Sequence, residues 1–354
     1  MKNIKRVLVL SEVRSGHGGL ENVTRFFINT LNEDPEFNSS LYFFHNGEKP
    51  TSNTWINNLE CYYSKKISKN QKLNCYFHIV KLALFIKKNR PDILIALGTR
   101  ECHIAGWAIK MSCLNITLYS WMHSPPNLKY RPGYLTMAHR HLAISNEVAT
   151  QLIALGARKN DIDLIYNFVK PSEITIGRPK KLKILYVGRI LYEEEKRLKT
   201  LFEALRLLCI PWSLDVIGDG KDKVTCQNKA TEWGIDNNIT WHGWQEEPWD
   251  YIEKQINEIS CLVLTSRFEG FGMVLVEAMS RGIYCISSDC GGPKDIIAEK
   301  VNGEFFTIDD AKQLAMILAS LPNRTDLPGA ETIKASIREF HEDLYIRRIK
   351  KSLA

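Results

Sequence analysis

Short apolar, β-branched runs alternate with longer stretches of helical period from one end of this 354-residue chain to the other, and no other feature constrains its fold as much. The strand candidates are RVLVLSE, SLYFFH, DILIAL, ITLYSW, HLAIS and DIDLIY, then KILYVG, SLDVIG, NITWHG, CLVLTS and YCISS. Between them lie LENVTRFFINTL, AIKMSCL, KRLKTLFEALRLL and VLVEAMSRG, whose apolar residues recur at helical spacing. Compact apolar strands linked by helices specify parallel sheets covered on both faces, hence an α/β fold.

The alternation pauses once, at NFVKPSEITIGRPKK, which holds two prolines, a glycine and no periodicity. It divides the chain into two βα units, each long enough to bury a core of its own. The expected division is a first domain over 1–170, a linker over 171–181, a second domain over 182–330 and a closing helix over 331–354, where Ile337, Phe340, Leu344, Ile346 and Ile349 mark an apolar stripe. The nine cysteines are scattered without a CxxC spacing, which reads as reduced thiols and neither a disulfide framework nor a zinc site. The apolar run after the basic N-terminus is too short for a signal peptide, and Lys81 interrupts IVKLALFI, so no membrane-spanning segment is expected.

Charge is unevenly placed. The formal net charge is +7, yet residues 1–175 carry 22 Lys+Arg against 13 Asp+Glu, so the excess lies in the first half. That half either meets an anionic partner or presents a solvated basic surface. The stretch from Lys65 to Arg90 sets eight Lys/Arg around an apolar helix and suits anionic lipid or a phosphorylated saccharide better than nucleic acid.

Three segments carry chemistry. The first strand runs into SGHGGLENV, where Gly16, Gly18 and Gly19 let backbone approach a ligand ahead of a helix N-terminus, or simply make a tight turn. The dinucleotide fingerprint fails here, because Glu21 stands where its third glycine belongs. KILYVG ends in Gly188-Arg189, with Lys196 seven residues on; two cations at the carboxyl end of a parallel strand can neutralise a diphosphate, or form a surface pair within a charged loop. SRFEGFGMVLVEA follows CLVLTS and separates Glu269 from Glu277 by seven residues, with Gly270 and Gly272 between them. A helix beginning near Gly272 puts Glu277 about 1.5 turns in, able to accept hydrogen bonds from a ribose diol. The amides of Phe271, Gly272 and Met273 are then open to a phosphate or sugar oxygen, whereas the alternative is a capping glutamate plus an exposed helical one.

In this order on two βα domains, Gly-Arg with a following Lys, EGFGMVLVEA and the N-terminal Gly-Gly loop resemble the family-4 retaining glycosyltransferases. These have the GT-B fold, two Rossmann-like domains facing each other across a cleft, with a C-terminal helix returning to the first domain. A narrower likeness, through SGHGGLENV, HLAIS, LYVGRI, WSLDVIGDG, ITWHGWQEEPW, LTSRFEGF and SIREF, is to lipopolysaccharide core 1,6-galactosyltransferases of Gram-negative bacteria. The resemblance implies a UDP-hexose donor, galactose first, a lipopolysaccharide core or related lipid-linked acceptor, and a cytoplasmic enzyme on the inner face of the inner membrane. By the same likeness Gly188, Arg189 and Lys196 hold the donor diphosphate, Glu277 the ribose, and Gly218 and Gly243 the uracil side. Glu269, with the amides from Phe271 to Met273, attends the transferred sugar, while Gly18 and Gly19 face the phosphate and acceptor. His123, in SWMHSPP, matches a histidine near the anomeric carbon; a structural histidine is the other reading. Many relatives have Arg-x4-Lys-Gly, whereas here Lys196 comes later and Arg197 follows it.

Neither cofactor nor metal is expected. The one Asp-x-Asp, Asp161-Ile162-Asp163, falls within an apolar strand pattern. No second carboxylate stands out as a nucleophile. The competing functions are a capsule or glycolipid glycosyltransferase using UDP-glucose or UDP-GlcNAc, a GT-B UDP-sugar epimerase, and a nucleotide-sugar-binding regulator without activity.

Overall fold

The computed structural model describes residues 4–13, 19–45 and 54–354. They form two compact units, one of residues up to Asn167 together with Ile346–Ala354, the other Phe168–Tyr345.

In the first unit the order is β1 (Lys5–Glu12), α1 (Gly19–Asn32), β2 (Phe37–Phe44), β3 (Cys61–Ser64), α2 (Gln71–Asn89), β4 (Ile93–Ala96), α3 (Thr99–Ser112), β5 (Thr117–Met122), β6 (Arg140–Ala143), α4 (Asn146–Ala154) and β7 (Ile162–Leu164). The sheet order is β3-β2-β1-β4-β5-β6-β7, and every pairing is parallel. Its centre is apolar on both faces: Val7 through Leu10 and Ile93 through Ala96 are all buried. A strand covered on both sides cannot alternate polar with apolar, so its whole run is hydrophobic.

The second unit has β8 (Leu182–Val187), α5 (Leu198–Arg206), β9 (Trp212–Ile217), α6 (Lys223–Glu232), β10 (Ile239–Gly243), α7 (Pro248–Gln255), β11 (Cys261–Leu264), α8 (Met273–Met279), β12 (Cys285–Ser288), β13 (Gly303–Phe306), α9 (Ala311–Ser320) and α10 (Ala330–Ser336), ahead of α11 (Glu342–Leu353). Its parallel sheet runs β10-β9-β8-β11-β12-β13. In both sheets the strand order reverses beside the first strand, between β1 and β4 and between β8 and β11. In doubly wound sheets that reversal opens a crevice at the carboxyl ends of the strands, where ligands bind.

Two features depart from the sequence reading. The closing segment is not one helix: a tight turn at Arg338–Phe340 separates α10 from α11 and buries Phe340 edge-on against Phe271, with ring centroids 5.3 Å apart. From Phe168 onward, the Pro-rich segment packs within the second unit, where Val169 N–H donates to the Phe340 carbonyl at 2.8 Å and Ile176 N–H to the Arg281 carbonyl at 3.0 Å. The end of α11 belongs to the first unit. There the Tyr119 hydroxyl donates to the Ser352 carbonyl at 2.7 Å, and Lys350 is paired with Asp34.

Candidate functional site

The loops after β8 and β11 flank the strand-order reversal of the second sheet, and they carry Gly188, Arg189, Lys196, Glu269 and Gly272. Gly188 and Arg189 directly follow β8, and Lys196 lies two residues before α5. Lys196 Nζ reaches Glu269 Oε1 at 2.5 Å and Glu195 Oε1 at 3.5 Å, while Ser266 Oγ donates to the same Glu269 oxygen at 2.7 Å. The Lys196 and Glu269 side chains are only 15% and 13% exposed, so water screens the pair weakly. Burial alone would lower the lysine pKa, but the Glu269 and Glu195 carboxylates outweigh it and hold the ammonium above its usual value. Lys196 is therefore a fixed cation.

Arg189 has the opposite character. It pairs with Glu195 at 2.9 Å but is 66% exposed, so the contact contributes little and the guanidinium is available to another anion. Its carbonyl accepts from the Tyr186 hydroxyl at 2.7 Å, which anchors the loop to a buried ring. Arg197, which follows Lys196, is committed elsewhere: it sits in the left-handed region at φ 52°, and its Nε meets Asp309 Oδ1 at 2.6 Å. The long Arg-to-Lys spacing thus still delivers one lysine to Glu269.

Close backbone approach shapes the same edge of the sheet. Gly218 has φ 137°, and a Cβ there would lie 2.0 Å from the Gly188 carbonyl oxygen, while its N–H donates to the Gly243 carbonyl at 2.8 Å. Only glycine fits. Gly188, Gly218 and Gly243 are in this way stacked across β8, β9 and β10. Gly272 caps α8 at φ 102°. The Phe271 side chain is buried, whereas Met273 is partly exposed.

Glu277 lies on α8, and its Oε2 accepts from Trp249 Nε1 at 2.8 Å. Burial pushes its carboxyl pKa up, and the indole bond and Arg281 only partly oppose this. Arg281 holds the indole from its face at 4.7 Å and is itself paired with Glu253 at 2.6 Å. On β9 and β10, His242 Nε2 meets Asp215 Oδ1 at 2.7 Å and its Nδ1 meets the Tyr251 hydroxyl at 3.0 Å, which fixes the ring beside Gly243.

In the first unit, His123 follows β5 with its ring 4.4 Å from the buried Trp121 ring, and Gly19 opens α1. Gly18 lies outside the described residues. The sequence reading missed Glu195, Ser266 and Trp249 as partners. Ser266 opens the SRFEGFGMVLVEA segment and Trp249 closes ITWHGWQEEPW, but neither residue type in those positions signals a carboxylate partner. Among the described residues no group of three or more His, Cys, Asp or Glu is placed to hold a metal ion, and all nine cysteines are free.

Known proteins resemble this chain over nearly its whole length. Residues 172–330 match the family model described as glycosyl transferases group 1. The chain is 34% identical to the lipopolysaccharide 1,6-galactosyltransferase of Salmonella typhimurium over 98% of both chains. It is 35% identical to that of Escherichia coli, over 98% of this chain and 97% of the other. The apo form of the lipopolysaccharide outer core galactosyltransferase WaaB superposes with a TM-score of 0.92 at 34% identity, covering 98% of this chain and 99% of that one. Anabaena HepE in complex with UDP shares the fold at a TM-score of 0.80 and 17% identity, over 98% and 99%. With two Rossmann-like units built on parallel sheets, this chain is a GT-B protein and belongs to the lipopolysaccharide 1,6-galactosyltransferase family of the group 1 glycosyltransferases.

Proposed function

We propose that the protein transfers a hexose, galactose first, from a UDP-sugar to a lipopolysaccharide core oligosaccharide with retention of anomeric configuration. The observation that carries this is near-full-length identity of 34 and 35% to two lipopolysaccharide 1,6-galactosyltransferases. The second unit is then the donor domain and the first the acceptor domain. Arg189 and Lys196 meet the diphosphate, Glu277 the ribose diol, the Gly218–Gly243 edge the uracil, and Glu269 with the amides from Phe271 to Met273 the hexose. Gly18 and Gly19 attend the phosphate and acceptor, and His123 the anomeric carbon.

The bond from C1 to the β-phosphate oxygen breaks as the acceptor hydroxyl oxygen attacks C1 from the same face. UDP leaves with that oxygen and takes up the hydroxyl proton. Negative charge grows on the leaving phosphate, and preorganised cations stabilise it most. Lys196, held charged in a weakly solvated position, is suited to this, and Arg189 can exchange Glu195 for phosphate without losing a buried contact. These two charges let the reaction proceed without a divalent metal.

Offered UDP-Gal, UDP-Glc and UDP-GlcNAc with truncated lipopolysaccharides, the enzyme is expected to release UDP fastest from UDP-Gal. Release should require acceptor, be unaffected by EDTA, and give a product that keeps its anomeric configuration by NMR. UDP release without acceptor, or inversion, would overturn the reading.

The acceptor is membrane-borne, and no described helix is long and apolar enough to cross a membrane. We place the enzyme on the cytoplasmic face of the inner membrane through the basic region of its first unit. Lys65, Lys66, Lys69 and Lys72 are exposed beside Ile67, Leu73 and Tyr76, which are also exposed, while α2 turns Leu82, Ala83 and Ile86 inward. Cations next to exposed apolar side chains suit an anionic bilayer surface, at about 1 kcal/mol per basic residue. Changing the four lysines to Glu should abolish sedimentation with phosphatidylglycerol vesicles, and unchanged binding would return the face to plain solvation.

A further inference from the structure

One face of the first unit, outside the groups used above, carries an unbroken run of rings and cations. His103, Trp107 and Lys110 fall at i, i+4 and i+7 on α3, along one side of the helix. Lys110 Nζ stands 4.9 Å from the centre of the Trp107 ring, Trp107 meets His103 edge-on at 6.5 Å, and His103 stacks on Tyr134 at 4.1 Å with 21° between planes. Arg131 extends the run: it donates to the Tyr134 hydroxyl at 2.5 Å and lies 5.6 Å from the Tyr134 ring and 5.2 Å from that of Tyr130.

The run is built, not incidental. A Cβ on Gly106 would come within 2.6 Å of Met137 Cε, so the turn Pro132–Met137 is pressed onto α3. Arg131 is held at φ 50°, a conformation that costs a non-glycine residue free energy. Thr99 Oγ1 donates to the Tyr130 carbonyl at 2.9 Å. Thr99 is the first residue of α3, just past the end of β4, and β1 and β4 flank the strand-order reversal of this sheet. The run therefore starts at the position where such a sheet binds ligands and continues outward along α3. Despite this fixed geometry Tyr130 is 73% exposed and Trp107 47%. Neither Lys110 nor Arg131 makes an ion pair with a carboxylate among the described residues, so both charges remain for an anion. Burial and the nearby Arg131 lower the His103 pKa, which keeps its ring neutral within the stack.

We propose that this ladder binds the non-reacting part of the acceptor, an anionic phosphorylated oligosaccharide, with Trp107 and Tyr130 under sugar rings and Lys110 and Arg131 on its phosphates. The electron-rich ring faces complement the C–H faces of pyranoses, and the alternating cations match phosphates carried along the same chain. The proposal rests on the lipopolysaccharide reading for its ligand class, but its test needs no turnover. Titration calorimetry with a lipid-free, phosphorylated core oligosaccharide and no donor should show binding to the wild type. The Trp107→Ala/Tyr130→Ala double variant should bind about tenfold or more weakly, as when aromatic anchors leave an interface. Trp107→Phe/Tyr130→Phe should recover most of the affinity, with thermal unfolding unchanged in both. Lys110→Glu/Arg131→Glu should abolish binding of the phosphorylated form and spare that of a dephosphorylated one. No binding by the wild type, or equal binding by wild type and the alanine variant, would overturn the proposal. So would loss of phosphatidylglycerol vesicle binding in the alanine variant with oligosaccharide binding intact, which would make this a membrane face. Failure of the transferase reading shows separately, as absence of acceptor-dependent UDP release from any UDP-hexose.

Discussion

Lys196→Ala is expected to lower kcat by about 100- to 1,000-fold, the loss that follows removal of one preorganised group from a developing oxyanion. The size follows from where the lysine sits. Its ammonium is mostly buried, held charged by Glu269 and Glu195, and placed at the strand-order reversal beside β8. Removing it also strands the Glu269 carboxylate in weakly solvated surroundings, and breaking such a pair from one side costs about 3–5 kcal/mol. The two effects separate in a double variant. Lys196→Ala/Glu269→Ala should regain much of the lost stability by denaturant unfolding while its kcat stays at the floor of the single variant. Arg189→Ala should act mainly on donor affinity, because its exposed pair with Glu195 contributes little to the fold. A Lys196→Ala enzyme within tenfold of wild-type kcat would remove the lysine from the proposed chemistry.

What the sequence made legible divides along physical lines. Central strands such as Val7–Leu10 and Cys261–Leu264 are buried on both faces, so their composition alone declares them. The strands that escaped, β3 and β13, are the outermost of their sheets on one side. In β3 the residues Cys61, Tyr62 and Tyr63 are only partly covered, and β13 opens with Gly303, which reads as a turn. That glycine is required, since a Cβ there would meet the Cys285 carbonyl oxygen at 2.3 Å. At the site, Arg189, Lys196, Glu269 and Glu277 were legible because each stands in a short local pattern around a glycine or a helix start. Their partnerships were not. Lys196 and Glu269 are 73 residues apart, and they meet because β11 pairs with β8, a neighbourhood set by strand order and not by spacing. Trp249 likewise becomes the partner of Glu277 only once α7 and α8 have packed.

Glu277→Gln should raise KM for the UDP-hexose by about 10- to 100-fold while leaving the fold intact, because a glutamine carbonyl can still accept from Trp249 but cannot serve a diol as an ionised carboxylate does. Hydrogen bonds to charged groups contribute about 1.5–3 kcal/mol each, which sets that range. The pH dependence gives a sharper signature. Burial holds the folded pKa of Glu277 above that of the unfolded chain, so folding itself favours the protonated form, and whatever stability this lends is present at low pH and lost as pH rises through the folded pKa. Donor binding has the opposite sign, since accepting two ribose hydroxyls requires the ionised form. In the wild type, KM for the donor should climb as pH falls, beginning above the ordinary carboxylate range, and most of that climb should vanish in Glu277→Gln. Steady-state kinetics across pH at saturating acceptor reads both slopes. Equal pH profiles for the two enzymes would separate Glu277 from the ribose and leave it as a brace for Trp249.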